Sequence, residues 1–84
     1  MSELEEVRAG LHAVREDIPL AQVAEARLRL TAVHAELAAA WAKTCDSRPD
    51  KARHELALAQ KAVRDGEATL RRALGCVRTA TAEL

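Results

Sequence analysis

The sequence contains one aromatic side chain, Trp41, and no Phe or Tyr. With Trp41 alone it has no series of ring platforms on which to stack successive bases, and no segment is basic enough to argue for nucleic acid on charge alone. Glycine occurs three times and proline twice, and no glycine-rich loop follows a strand. No apolar run is long enough to span a bilayer. The opening Met1-Ser2-Glu3-Leu4-Glu5-Glu6 is acidic and has no apolar core, so no signal peptide is expected there. Cysteine occurs only at Cys45 and Cys76. On a largely helical chain these lie roughly 40 Å apart at 1.5 Å per residue, too far to bond to one another within it. Neither has a second cysteine close enough for a paired-cysteine metal site. Two free thiols and no leader suit a reducing cytoplasm.

What the 84 residues do contain is alanine, at 19 positions, within an apolar content of 49%. Alanine buries little area. At roughly 25 cal/mol per Å² of apolar surface, a lone hairpin of this composition is marginal, and small domains in that position usually oligomerise. The formal net charge is +0, but it is unevenly spread. Residues 1–17 hold Glu3, Glu5, Glu6, Glu16 and Asp17 against Arg8 and Arg15, whereas residues 50–84 carry more bases than acids.

The clearest pattern runs over residues 52–84. A large row, Leu56, Val63, Leu70, Val77 and Leu84, interleaves with a small row, Ala52, Ala59, Gly66, Ala73 and Ala80. The two step 4-3-4-3 without a miss, the signature of a helix lying along a partner helix. Earlier in the chain, Leu4, Val7, Leu11, Val14 and Ile18 step 3-4-3-4, and Ser2 with Glu5 fits a capping box at the start. Pro19 interrupts this helix, because Pro excludes the preceding residue from helical geometry while suiting a first turn itself. The phase also slips there. From Pro19 the seam becomes Val23, Ala26, Leu30, Val33, Leu37 and Ala40. With no Gly or Asn to reverse the chain, a kink is favoured over a tight turn.

Residues 19–43 are apolar around most of the helix. A second row, Ala21, Ala24, Leu28, Ala35, Ala38 and Ala42, flanks the seam, and the polar stripe is narrow: Gln22, Glu25, Arg29, Glu36 and Lys43. Such a helix needs more than one neighbour. One is the C-terminal helix. The other is either residues 1–17 folded back or a second subunit.

The connection lies at residues 44–48, with Ser47, Pro49 and Asp50 as helix-start signals. Its length and central position imply an antiparallel hairpin. The expected register sets Leu30 opposite Val63, Leu37 opposite Leu56, and Val23 opposite Leu70. A second layer sets Ala26 opposite Gly66, Val33 opposite Ala59, and Ala40 opposite Ala52. Residues 1–17 fit the same register only with two or three extra residues, a slip that a kink at Pro19 absorbs.

Candidate chemistry is sparse. His12 and Glu16 share a helix face but have no third ligand, so an exposed solvated pair is the simpler account. His34 and His54 lie on different arms. Arg64, Arg71, Arg72 and Arg78 with Lys61 form a strip that could meet phosphates, but Asp65 and Glu67 interrupt it and a charged outer face explains it equally well. Nothing provides a nucleophile elbow, a paired-carboxylate cleft or a water-excluding pocket. Trp41, in the last turn before the loop, either plugs an end of the hairpin or anchors a partner.

These features together resemble the WXG-type proteins of type VII secretion in Actinobacteria, and small Ala/Leu-rich helical modules at the N-terminus of actinobacterial polymorphic toxins. The residues concerned are Met1-Ser2-Glu3-Leu4, Ala9-Gly10-Leu11, Ile18-Pro19, the Ala/Leu-rich run to Trp41, the Ser47-Arg48-Pro49 turn and the closing Ala82-Glu83-Leu84. Two departures stand out. Trp41-Ala42-Lys43 lacks the family's Gly, and of its C-terminal Tyr-x-x-x-Asp/Glu signal only Thr79 and Glu83 remain. The resemblance implies a non-enzymatic helical protein acting through dimerisation or a partner helix, with export without a signal peptide as one route.

The sequence thus predicts one all-α domain over residues 1–84, with helical segments at about 2–17, 19–43 and 49–82. They form an antiparallel hairpin whose first arm is kinked or broken near Pro19, assembling into a four-helix-bundle-type dimer. No catalytic, metal or cofactor site is expected. The interaction surface is expected at Leu11, Val14, Ile18, Leu20, Leu28, Trp41, Val77 and Leu84, where the kinked arm leaves the open end under-specified. The alternatives are a small nucleic-acid-binding hairpin dimer on the arginine face, and a helical accessory subunit of a larger complex.

Overall fold

The computed structural model describes residues 2–42 and 48–84, with backbone alone at residues 48 and 49. It comprises three helices, α1 Glu3–Asp17, α2 Leu20–Trp41 and α3 Arg48–Glu83. No strand occurs among the described residues. The expected connection through Thr44, Cys45, Asp46 and Ser47 lies outside them. Helix ends fall within one or two residues of the sequence expectation, the usual fraying margin.

Helix α1 starts where its cap allows. Ser2 is extended, and its Oγ accepts the Glu5 backbone N–H at 3.2 Å. Glu3, Glu5 and Glu6 lie in the first turn and Arg15 in the last, each on the side the helix dipole favours. The helix stops because of Pro19. Ile18 is driven to extended geometry at φ −68°, ψ 115°. Pro19 follows at φ −84°, ψ 49°, and the Leu20 N–H reaches the Ile18 carbonyl at 2.9 Å across it. That is an inverse γ-turn. The Val23 N–H then bonds to the Pro19 carbonyl at 3.1 Å and the helix resumes.

This single tight turn redirects the chain without reversing it. Helices α1 and α2 both pack on α3 and make no contact with one another. They form one long arm bent at residues 18 and 19, and α3 runs antiparallel along it. The kink expected at Pro19 is present, and residues 3–17 extend the first arm instead of folding back. At 1.5 Å per residue, the 36 residues of α3 reach about 54 Å, most of a molecule measuring 68 × 14 × 14 Å.

The seam between the arms keeps one expected row and replaces the other. The large rows face inward: Val23, Leu30 and Leu37 on α2, with Leu56, Val63, Leu70 and Val77 on α3, are all half-buried. The small rows do not. Ala26, Val33 and Ala40 on α2 are exposed, and so are Ala59, Gly66, Ala73 and Ala80 on α3. In their place stand Leu20, Arg27, His34 and Trp41 on α2, facing Gln60, Glu67, Leu74 and Thr81 on α3. Each helix is therefore turned by about 50° from the expected orientation, given 3.6 residues per turn. The physical reason is area. The stems of Arg, His, Gln and Glu cover more of the neighbouring helix than Ala does, provided their polar heads find partners.

Candidate interaction surface

The partners exist. Arg27 Nε donates to Glu67 Oε2 at 2.6 Å across the hairpin, and Arg71 donates to Glu67 Oε1 at 2.8 Å from one turn further along α3. Glu67, 6% exposed, is the only buried residue among those described, and it is held by two guanidinium groups. The hydrogen bonds from Arg71 and then Arg27 lower its carboxyl below the ordinary value of 4.5, outweighing the opposing effect of burial. One heptad towards the loop, His34 Nδ1 meets Gln60 Oε1 at 2.5 Å. Gln60 Nε2 donates to Thr31 Oγ1 at 3.4 Å, which in turn donates to the Arg27 carbonyl at 3.0 Å. Among the described residues no buried side-chain polar atom lacks a partner.

This network latches one side of the hairpin. Arg27 and His34 are a heptad apart, as are Glu67 and Gln60, so the polar pairs close together only in one register. The opposite side carries the exposed small rows. There α1 contributes Val7 and Val14, α2 contributes Ala26, Val33 and Ala40, and α3 contributes Ala59, Gly66, Ala73 and Ala80. Val7, Val14 and Val33 are each about half accessible, at 50%, 49% and 49%. The apolar strip therefore continues past the kink.

The eight residues expected to form an interaction surface divide into two sets. Leu11, Ile18, Leu20, Trp41 and Val77 are half-buried in the seam. Val14, Leu28 and Leu84 are exposed, Leu28 to 60%. Trp41 occupies the last turn of α2 in the same row as His34, facing α3. The row beside the seam that reads Ala21, Leu28, Ala35 and Ala42 is uncovered, while Ala24 and Ala38 are half-covered. At the far end Arg8 of α1 donates to the Leu84 carbonyl, closing α1 onto the end of α3.

The polar latch does not stand out in the sequence: Arg27 with His34, and Gln60 with Glu67, share heptad spacing, but the apolar 4-3 pattern passes over long polar side chains.

The arginine strip is largely engaged within α3. Lys61 pairs with Asp65 at 3.2 Å and Arg71 with Glu67, while Arg72 donates to Thr69 Oγ1 at 3.4 Å. Among the described residues no group of three or more His, Cys, Asp or Glu could hold a metal ion, and His12 and Glu16 are both exposed. No described helix is long and apolar enough to cross a membrane.

Fold and surface together define an extended helical hairpin. No family model, curated protein or solved structure matches the chain.

Proposed function

We propose that this protein is a non-enzymatic helical interaction module, acting by dimerising or by packing a partner helix against its hairpin. One observation carries this reading. Helix α2 is apolar around most of its circumference, yet only its α3-facing side is covered, because α1 runs on beyond Pro19 and does not fold back. A helix apolar all round belongs inside a bundle. With no apolar side chain fully buried among the described residues, and Leu4, Val7, Val14, Leu28, Val33, Leu58 and Leu84 exposed, a partner is where the missing burial is to be found. The resemblance to WXG-type hairpins adds a setting, a secretion- or toxin-linked partner system in an actinobacterium. Multi-angle light scattering across micromolar concentrations tests the proposal. The expected mass is at least twice 9.1 kDa. A well-folded monomer throughout, which also retains no partner protein, counts against it.

A further inference from the structure

The proposed module has two sides, and they are not equivalent. On the latched side α3 presents Arg64, Arg71 and Arg78 at heptad spacing, all exposed. A second copy docking there would set guanidinium rows against each other. On the small-residue side each helix presents its row of small or β-branched apolar residues, bordered on α2 by Gln22, Glu25 and Arg29. On α3 the row reads Ala52, Ala59, Gly66, Ala73 and Ala80, the same from either end about Gly66. A two-fold axis through Gly66 sets that residue opposite its own copy and pairs each flanking residue with the one equally far on the other side, so every contact along this row is small against small.

Gly66 itself has no intramolecular reason to be glycine. It lies in the middle of α3 with no positive φ, and a Cβ built on it would meet nothing within 4 Å. A glycine there costs about 1 kcal/mol of helix stability relative to alanine. Close approach of another backbone would account for it.

The exposed area is sufficient. The chain exposes 6364 Å², whereas a compact protein of its mass exposes about 4,900 Å². The excess is about 1,500 Å², against roughly 800 Å² that each partner buries in a standard interface. Val7, Val14 and Val33 supply larger apolar groups on the same side.

Resting on the interaction-module reading and naming its partner, we infer that a second copy of this chain docks on the small-residue side. The two α3 helices cross antiparallel at Gly66, with Ala59 of each opposite Ala73 of the other. The result is a four-helix bundle with the latched, arginine-bearing sides outward.

Sedimentation velocity and circular dichroism on Gly66→Arg test this, with Gly75→Arg as control. Gly75 also has open space around it but lies on the outer face of α3. The expected result is unchanged helicity in both variants, with dimer affinity weakened more than 100-fold in Gly66→Arg only. A second test is independent of dimer loss. In a Cys45→Ser, Cys76→Ser background, Gly66→Cys is expected to oxidise to a disulfide-linked dimer, and Gly75→Cys is not. Dimers that survive Gly66→Arg, or that fail to cross-link at residue 66, overturn this face while leaving the interaction module standing. A wild-type chain that is monomeric at all concentrations overturns self-association as a whole.

Discussion

The two halves of this hairpin are held together differently. Around α2 the seam sets Leu20, Val23, Leu30, Leu37 and Trp41 against the large apolar row of α3 and reinforces them with the Arg27–Glu67–Arg71 and His34–Gln60–Thr31 contacts. Around α1 it consists of half-buried Leu11 and Ile18, with Arg8 bonded to the terminal Leu84 carbonyl. Burial alone brings two helices together, since it is indifferent to sliding by one heptad. Directional polar pairs at matched spacing reject that slide. The α2 half is therefore specified in register as well as in partner, and the α1 half only in partner.

The largest expected difference comes from truncating the seam in each half. Leu70 and Leu11 are both half-buried. A fully buried Leu→Ala change costs about 2–5 kcal/mol, so a half-buried one in a cooperative seam costs about 1–2 kcal/mol. Leu70→Ala is expected to lose that much from the global unfolding free energy in urea. Leu11→Ala is expected to lose less than about 1 kcal/mol, and to speed amide exchange within α1 while leaving α2 protected. Equal global losses would show that α1 and α2 unfold as one unit, contradicting the division.

A smaller effect sharpens the same division from the stabilising side. Gly10 lies in α1, and a Cβ there meets nothing within 4 Å. Gly10→Ala is expected to gain about 0.5–1 kcal/mol of local helix stability. It should appear as slower amide exchange in α1 and leave the urea midpoint of the hairpin almost unmoved. A large shift in that midpoint would again join the two halves.

Much of this architecture is legible in the sequence, for identifiable reasons. The large row Leu56, Val63, Leu70, Val77 is one of big side chains at heptad spacing, and such a row faces a partner whatever else happens. Pro19 acts through steric exclusion of its neighbour, a local rule, so the kink is legible too. The orientation about each helix axis is another matter. A 4-3 pattern of apolar residues assigns Ala59, Gly66 and Ala73 to the seam because they are apolar. The folded chain chooses Gln60 and Glu67 because they are longer and find Thr31, His34, Arg27 and Arg71. Whether a polar residue is an outer-face residue or half of a latch depends on what stands opposite, and one helix alone does not contain that. The residues expected at an interaction surface fall in two places in the fold. Val14, Leu28 and Leu84 are exposed on outer positions, while Leu11, Ile18, Leu20, Trp41 and Val77 belong to the hairpin's own seam.

The smallest expected effect concerns pH, and it separates the halves by their chemistry. The Glu67 carboxyl titrates below its ordinary value of 4.5 in the folded chain, because Arg71 and Arg27 hydrogen-bond to its charged form. A group whose folded pKa is depressed contributes stability above its unfolded pKa and loses it as pH falls through the folded one. The latch is therefore at full strength above about pH 5, weakens as the pH drops past 4.5, and is gone once Glu67 is protonated. The pair is partly open to water on the Arg71 side, so screening keeps the effect modest. Glu67→Gln is neutral at every pH and keeps a hydrogen-bond acceptor for Arg27. Thermal melts from pH 7 to pH 3 are expected to show wild type above the variant at neutral pH and the two curves converging at the acid end. Added salt should narrow the neutral-pH gap without closing it. A gap between wild type and Glu67→Gln that persists unchanged to pH 3 would mean the carboxylate is not what holds the register of the α2 half.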